Sequence, residues 1–298
     1  VTIEFTHEHV DCAGVRLHCA RAGSGRLIMF LHGFPEYWGA WREPMRHFAA
    51  RGWQAVAPDQ RGYNLSDKPE GVEHYRGKVL VQDVAHLAAH YARGEPFVLV
   101  AHDWGGGPAW GLAMAQPRLL SHLVIVNSPN PYVFWRELVN NPAQRKASEY
   151  MLLLRSAKAE RVLSENHYEK LWKFAFSEIG ATGAAPDKAE YVQAWSQPGA
   201  LTGGLNWYRA SPLYPPTEAD PGPNKLRFDP AQFQVRVPTL VLWGEKDRAL
   251  LTSCLDGLDE VVPDLKVVRV PECSHWIVHE RADLVCSEIE AFVAGKDR

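Results

Sequence analysis

The segment Phe97-Val98-Leu99-Val100-Ala101-His102-Asp103-Trp104-Gly105-Gly106-Gly107 constrains this chain more than any other. Four apolar residues read as a buried strand, and residues Pro108 to Gln116 read as a helix, so the chain between them must reverse sharply. Such a turn needs small residues beside its apex, and Ala101 and Gly105 flank Asp103 in that way. In turns of the G-x-S-x-G type the apex residue is a serine lifted above the sheet; here it is an aspartate. A serine that displaced a group from saturated carbon would leave an ether, which imidazole-activated water does not cleave. A carboxylate leaves an ester, whose own carbonyl water can attack, so one hard displacement becomes two easier steps. The apex residue therefore points to alkyl transfer onto Asp103.

The rest of the chain supplies the frame for such a turn. Short apolar runs at Val15–Ala20, Leu27–Leu31, Gln54–Ala57, Leu123–Val126, Thr239–Trp243 and Lys266–Val270 alternate with helical patterns at Tyr75–Ala92 and Leu284–Val293. That alternation predicts an α/β fold with a mostly parallel central sheet flanked by helices, and ligands collect at the carboxyl ends of such strands. After Val126 the alternation stops at Asn127-Ser128-Pro129-Asn130-Pro131 and resumes only near Val237-Pro238. Helical patterns at Arg145–Arg155 and Glu165–Phe176, followed by a proline-rich run, make residues 129–230 an inserted helical lid. The core is then split into 1–128 and 231–298.

Composition narrows the functional classes. The 46% hydrophobic content argues against disorder, and the net charge of −3 without Lys/Arg clusters gives no footprint for nucleic acid. No apolar run reaches the roughly 18 residues of a membrane span. Cys12, Cys19, Cys254, Cys273 and Cys286 are odd in number and lack C-x-x-C spacing, so they suggest buried thiols rather than a disulfide framework or a zinc site. The expectation is a cytoplasmic protein without metal or organic cofactor, with room for a leader removed upstream of Val1. A homodimer is compatible with the sequence. Small neutral molecules suit this balance better than polyanions.

Two further residues complete a nucleophile, acid, histidine order along the chain. His275 follows the last predicted strand, and Asp247 follows Leu242-Trp243-Gly244, where its carboxylate can accept the imidazole Nδ1–H; Glu245 is the local rival. The amides of Phe34, in His32-Gly33-Phe34-Pro35, and of Trp104 are candidate donors to an oxyanion. Phe34, Trp104 and Trp207 are the candidate substrate contacts.

His-Gly-Phe-Pro-Glu at 32–36, His-Asp-Trp-Gly-Gly at 102–106, Asp247 and His275 together resemble the epoxide hydrolases of the α/β-hydrolase superfamily, soluble type. The resemblance runs from about Gly14 to Phe292 and includes Asp59-Gln60-Arg61-Gly62-Tyr63-Asn64, read as a structural loop. It implies that Leu205-Asn206-Trp207-Tyr208-Arg209 carries a ring-opening tyrosine, Tyr208. A second is expected near the start of the insertion, with Tyr150 the best match and Tyr132 and Tyr168 its rivals. The implied reaction converts a small apolar epoxide and water to a vicinal diol. Haloalkane dehalogenases share an Asp-Trp pair and are the alternative, but they complete their halide site with an asparagine where this chain has Phe34, or with a lid tryptophan. Candidates for the latter are Trp135, Trp172, Trp195 and Trp207. Fluoroacetate dehalogenases place arginines beside the nucleophile, where this chain has Trp104 and Pro108, leaving Arg136, Arg145 or Arg209 to reach in from the lid. A ligand-binding receptor on the same scaffold is the reading outside enzymes, and the presence of all three triad candidates disfavours it.

Overall fold

A computed structural model describes residues 3–177, 179 and 186–296; residues 178 and 180–185 of the expected lid, and the chain start at Val1, lie outside the described residues. Eight strands form one sheet: β1 (Thr6–Asp11), β2 (Arg16–Ala22), β3 (Arg26–Leu31), β4 (Trp53–Pro58), β5 (Phe97–His102), β6 (Leu120–Val126), β7 (Thr239–Gly244) and β8 (Leu265–Val270). Their order is β1-β2-β4-β3-β5-β6-β7-β8, with antiparallel pairing at β1–β2 and β2–β4 and parallel pairing elsewhere. This is the mostly parallel sheet that the alternation of apolar runs predicts.

Every residue of β5 and β7 is buried. Strands covered on both faces read as continuous apolar runs, which is why these two were visible in the sequence. Strand β1 was not, because among Thr6–Asp11 only Val10 is buried and the edge strand carries polar side chains to solvent. Helix α1 (Arg42–Ala49) also lacked a clear sequence signal, yet it buries Pro44, Met45, Phe48 and Ala49. It packs on the C-terminal helix (Ala282–Lys296), while α2 (Gly77–Tyr91) packs on α3 (Gly106–Ala115).

Among the described residues, six α-helices lie between β6 and β7: α4 (Pro131–Asn140), α5 (Pro142–Ala147), α6 (Tyr150–Arg155), α7 (Ala159–Phe176), α8 (Lys188–Trp195) and α9 (Ala200–Ala210). The single helix expected over Arg145–Arg155 is two, divided at Ser148 and Glu149. There the Gln144 amide leaves its own helix to bond the Ser148 hydroxyl at 2.9 Å and the Ala249 carbonyl at 2.8 Å. The pattern expected to run from Glu165 is interrupted within α7, where Glu165 is extended and Asn166, His167 and Tyr168 take positive φ.

Polar bonds and a close backbone contact fix α8 and α9 to the segments that follow β3 and β4. The Trp195 indole donates to Pro35 O at 2.6 Å, and Trp207 donates to Arg61 O at 2.9 Å. Tyr37 and Arg42 both bond the Glu190 carboxylate, at 2.7 and 2.9 Å. Beneath α9, Gly203 lies so close to Gly62 that a Cβ on Gly62 would fall 2.9 Å from the Gly203 carbonyl carbon, and one on Gly203 would collide with the Gly62 backbone. Gly62 also has φ +92°, so neither position accepts a side chain. Gly203→Ala is therefore expected to force α9 outward, lowering unfolding free energy by about 1–3 kcal/mol in urea titration. Unchanged stability would show that the α9 contact is slack.

Candidate active site

Asp103 stands at the junction of β5 and α3 with φ +49°. A non-glycine residue held there stores roughly 1–3 kcal/mol of strain, which the surroundings must overcome. The crowding explains the glycines nearby. A Cβ at Gly33 would collide with the Asp103 side chain, one at Gly105 would lie 2.5 Å from Leu31 O, and one at Gly106 would meet Ser128. The Ser128 hydroxyl in turn donates to Asp103 O at 2.6 Å. The turn thus holds the carboxylate in one orientation.

The two Asp103 oxygens face different partners. Oδ1 accepts the Phe34 N–H at 2.8 Å, whereas Oδ2 lies 3.4 Å from His275 Nε2. His275 Nδ1 is 2.6 Å from Asp247 Oδ2. Asp247 is itself fixed by the amides of Ala249 and Leu250, both at 2.8 Å to Oδ1, and by the Asn127 amide at 2.8 Å to Oδ2. The rival carboxylate Glu245 points instead to Arg269 at 3.1 Å. Asp103, His275 and Asp247 therefore form one line.

Burial alone would push the Asp103 carboxyl up, but the His275 hydrogen bond and charge, with smaller help from His102 and the Phe34 amide, hold it below its ordinary value. Burial likewise disfavours the His275 cation, yet the Asp247 and Asp103 carboxylates outweigh it and hold the proton well above the usual imidazole range. The resting pair is an Asp103 carboxylate beside a His275 imidazolium.

Tyr150 begins α6 and Tyr208 lies on α9, their rings 6.4 Å apart between centroids. Burial raises both phenols above their ordinary values, reinforced at Tyr150 by Asp103 and Asp247 and at Tyr208 by Tyr150 and Asp103. Both stay protonated. Tyr208 also meets Phe34 and Trp104 edge to face, with centroids at 5.2 and 4.8 Å. The rival tyrosines are elsewhere: Tyr132 packs on Trp135 and Phe233, and the Tyr168 hydroxyl donates to Trp195 O at 3.3 Å.

Two cavities meet at Asp103, Tyr150 and Tyr208. The first is walled by Trp104, Pro131, Phe134, Met151, Leu213 and Leu250. The second is walled by Phe34, Ala147, Phe174, Arg248, His275 and Trp276. Trp207, expected at the substrate, lines neither; it is 1% exposed and serves as an anchor through its bond to Arg61 O, so that expectation is corrected. Trp135, Trp172 and Trp195 line neither cavity either. Arg145 bonds Val139 O at 2.8 Å, Arg209 bonds Glu160 at 2.7 Å, and Arg136 bonds Asp256 O. Among the described residues no group of three or more His, Cys, Asp or Glu is arranged to hold a metal ion.

Sequence reasoning missed the supports behind the line. Asn127 takes φ +40° and accepts the Gly244 N–H at 2.8 Å while donating to Asp247, tying β6 to the loop after β7. Glu36, fully buried, bridges His102 Nδ1 at 2.9 Å and His279 Nε2 at 2.6 Å, and His102 Nε2 lies 2.9 Å from His275 O. Burial opposes the Glu36 charge, but the two histidines bring its carboxyl well below the ordinary range. Glu36 and His102 stand inside the sequence motifs, yet nothing in their spacing says that they meet.

The described fold has close parallels among known proteins. The family model described as "alpha/beta hydrolase fold" matches residues 26–282. The chain is 37% identical to the AB hydrolase superfamily protein YfhM of Bacillus subtilis, over 93% of this chain and 94% of that one. It is 33% identical to epoxide hydrolase 3 of Xenopus tropicalis, over 94% of this chain and 75% of the relative. Among solved structures, it is similar to an inhibitor complex of a Bacillus megaterium epoxide hydrolase, at TM-score 0.87 and 32% identity, covering 96% of this chain and all of that one. An epoxide hydrolase from hot-environment metagenomes gives TM-score 0.86 and 34% identity, over 99% of this chain and all of the other. With its aspartate at the elbow and paired tyrosines above it, this chain belongs to the epoxide hydrolase family of the α/β-hydrolase superfamily.

Proposed function

We propose that the protein hydrolyses epoxides to vicinal diols through a covalent ester on Asp103, with residues 129–230 as the lid that supplies the acid groups. One juxtaposition carries this reading: the Asp103 carboxylate, backed by His275 and Asp247, faces two protonated phenols across the same small space. A nucleophile and a pair of donors on opposite sides suit a three-membered ring, whose carbon is attacked while its oxygen departs.

In the first step Asp103 Oδ2 forms a bond to a ring carbon and the carbon–oxygen bond of the ring breaks. The departing oxygen takes a proton from Tyr208 or Tyr150, and the phenolate is reprotonated from the His275 imidazolium. His275 is then neutral. Esterification also removes the Asp103 charge, one of the two anions that held the imidazole proton, so the ring is released to act as a base.

In the second step water attacks Asp103 Cγ as His275 Nε2 takes its proton. The Phe34 N–H, already 2.8 Å from Oδ1, and the Trp104 N–H hold the oxyanion, each worth a few kcal/mol. The bond from Cγ to the former Oδ2 then breaks, the departing alkoxide takes the remaining proton of the attacking water, the diol leaves with the former Oδ2, and the carboxylate and imidazolium are restored. Atoms balance as epoxide plus water to diol. Halide release from saturated carbon would use the same nucleophile, but the paired phenols have no task in it, and neither cavity carries a lid tryptophan.

Tyr208→Phe is expected to slow alkylation by styrene oxide about 100-fold in rapid-quench experiments, because the leaving oxygen loses a buried donor. His275→Gln is expected to accumulate an ester, read as the mass of the protein plus one epoxide. Full alkylation speed in the first variant would contradict the role of the phenol, and absence of the adduct in the second would contradict the ester.

A further inference from the structure

The two cavities share only Asp103, Tyr150 and Tyr208, and their remaining walls differ in kind. The first is apolar apart from Ser128 and Ser211, and both hydroxyls are engaged, with Asp103 O at 2.6 Å and with the Leu213 amide at 3.1 Å. Beyond Asp103, Tyr150 and Tyr208, which border both cavities, its walls offer water few partners. The second is lined by His275, Asp247 and Arg248. A water molecule needs two to four polar partners, and apolar cavities stay dry.

The reacting imidazole borders the second cavity alone. His275 is 8% exposed, Nδ1 is occupied by Asp247, and Nε2 is the nitrogen directed at Asp103. Water that is to be deprotonated by Nε2 must therefore stand in this second cavity.

We propose that the two cavities divide the reaction: the first holds the large apolar substituent of the epoxide, and the second is kept for the hydrolytic water. The substrate class that follows is an epoxide with one bulky alkyl or aryl group and only hydrogen or methyl on the other ring carbon. A substituent large enough to fill the second cavity still permits ester formation, but it displaces the water from beside His275. This division rests on the ester mechanism proposed above. It assigns separate walls to the two half-reactions.

Single-turnover quench with mass detection of the ester separates the steps, using styrene oxide as probe. Ala147→Phe narrows the second cavity and is expected to slow ester decay by about tenfold or more, since misplacing the attacking water is that costly, while ester formation stays close to wild type. Leu213→Phe narrows the first cavity and is expected to slow ester formation while decay keeps its wild-type rate. With the unaltered protein, decay is expected to slow from styrene oxide to trans-β-methylstyrene oxide and much further to trans-stilbene oxide. Ester decay that is unchanged in Ala147→Phe, or equally slowed in both variants, would overturn the division while leaving the ester mechanism standing. No ester in any protein, His275→Gln included, would remove both.

Discussion

The strained turn at Asp103 is the constraint on which the rest of the site depends. Its left-handed backbone is tolerated because Gly33, Gly105 and Gly106 leave room that any larger residue would close, and because Ser128 and the Phe34 amide bind the turn from two sides. A fully buried β5 sets the height of that turn, since a strand paired on both edges and covered on both faces cannot shift register without moving its whole apolar content. Position at the reacting centre is thus inherited from the sheet.

Electrostatics then sets the charges at the turn. Asp103 and His275 hold each other's charges against a burial cost that neither would bear alone, and Asp247, fastened by three donors, keeps the imidazole oriented. The proposed ester would dissolve this pairing at the moment when a base is needed. In the proposed mechanism the same ion pair readies the nucleophile and regulates the histidine, with no moving part required.

Much of this was legible in the sequence, and the reasons are specific. Buried parallel strands such as β5 and β7 are continuous apolar runs, the elbow needs small residues at fixed offsets, and spacing after the strand favoured Asp247 over Glu245. Other parts depend on contacts across long separations. Asn127 reaches Asp247 120 residues later, and Glu36 reaches His279 across 243 residues, so no local pattern announces either. Trp207 was misplaced for a related reason: it neighbours Tyr208 in sequence, but consecutive helical residues point in different directions, and its indole turns down to Arg61 O. The breaks inside α7 and before α6 were likewise hidden, since helical periodicity continues through them.

The most direct test follows one oxygen atom. With enzyme in excess over epoxide in water enriched in heavy oxygen, a single turnover should place the label in the Asp103 carboxylate and release a diol whose new oxygen is unlabelled, because that oxygen came from Oδ2. A labelled diol from the first turnover, with Asp103 unlabelled, would mean that water attacks the ring directly and would contradict the covalent account.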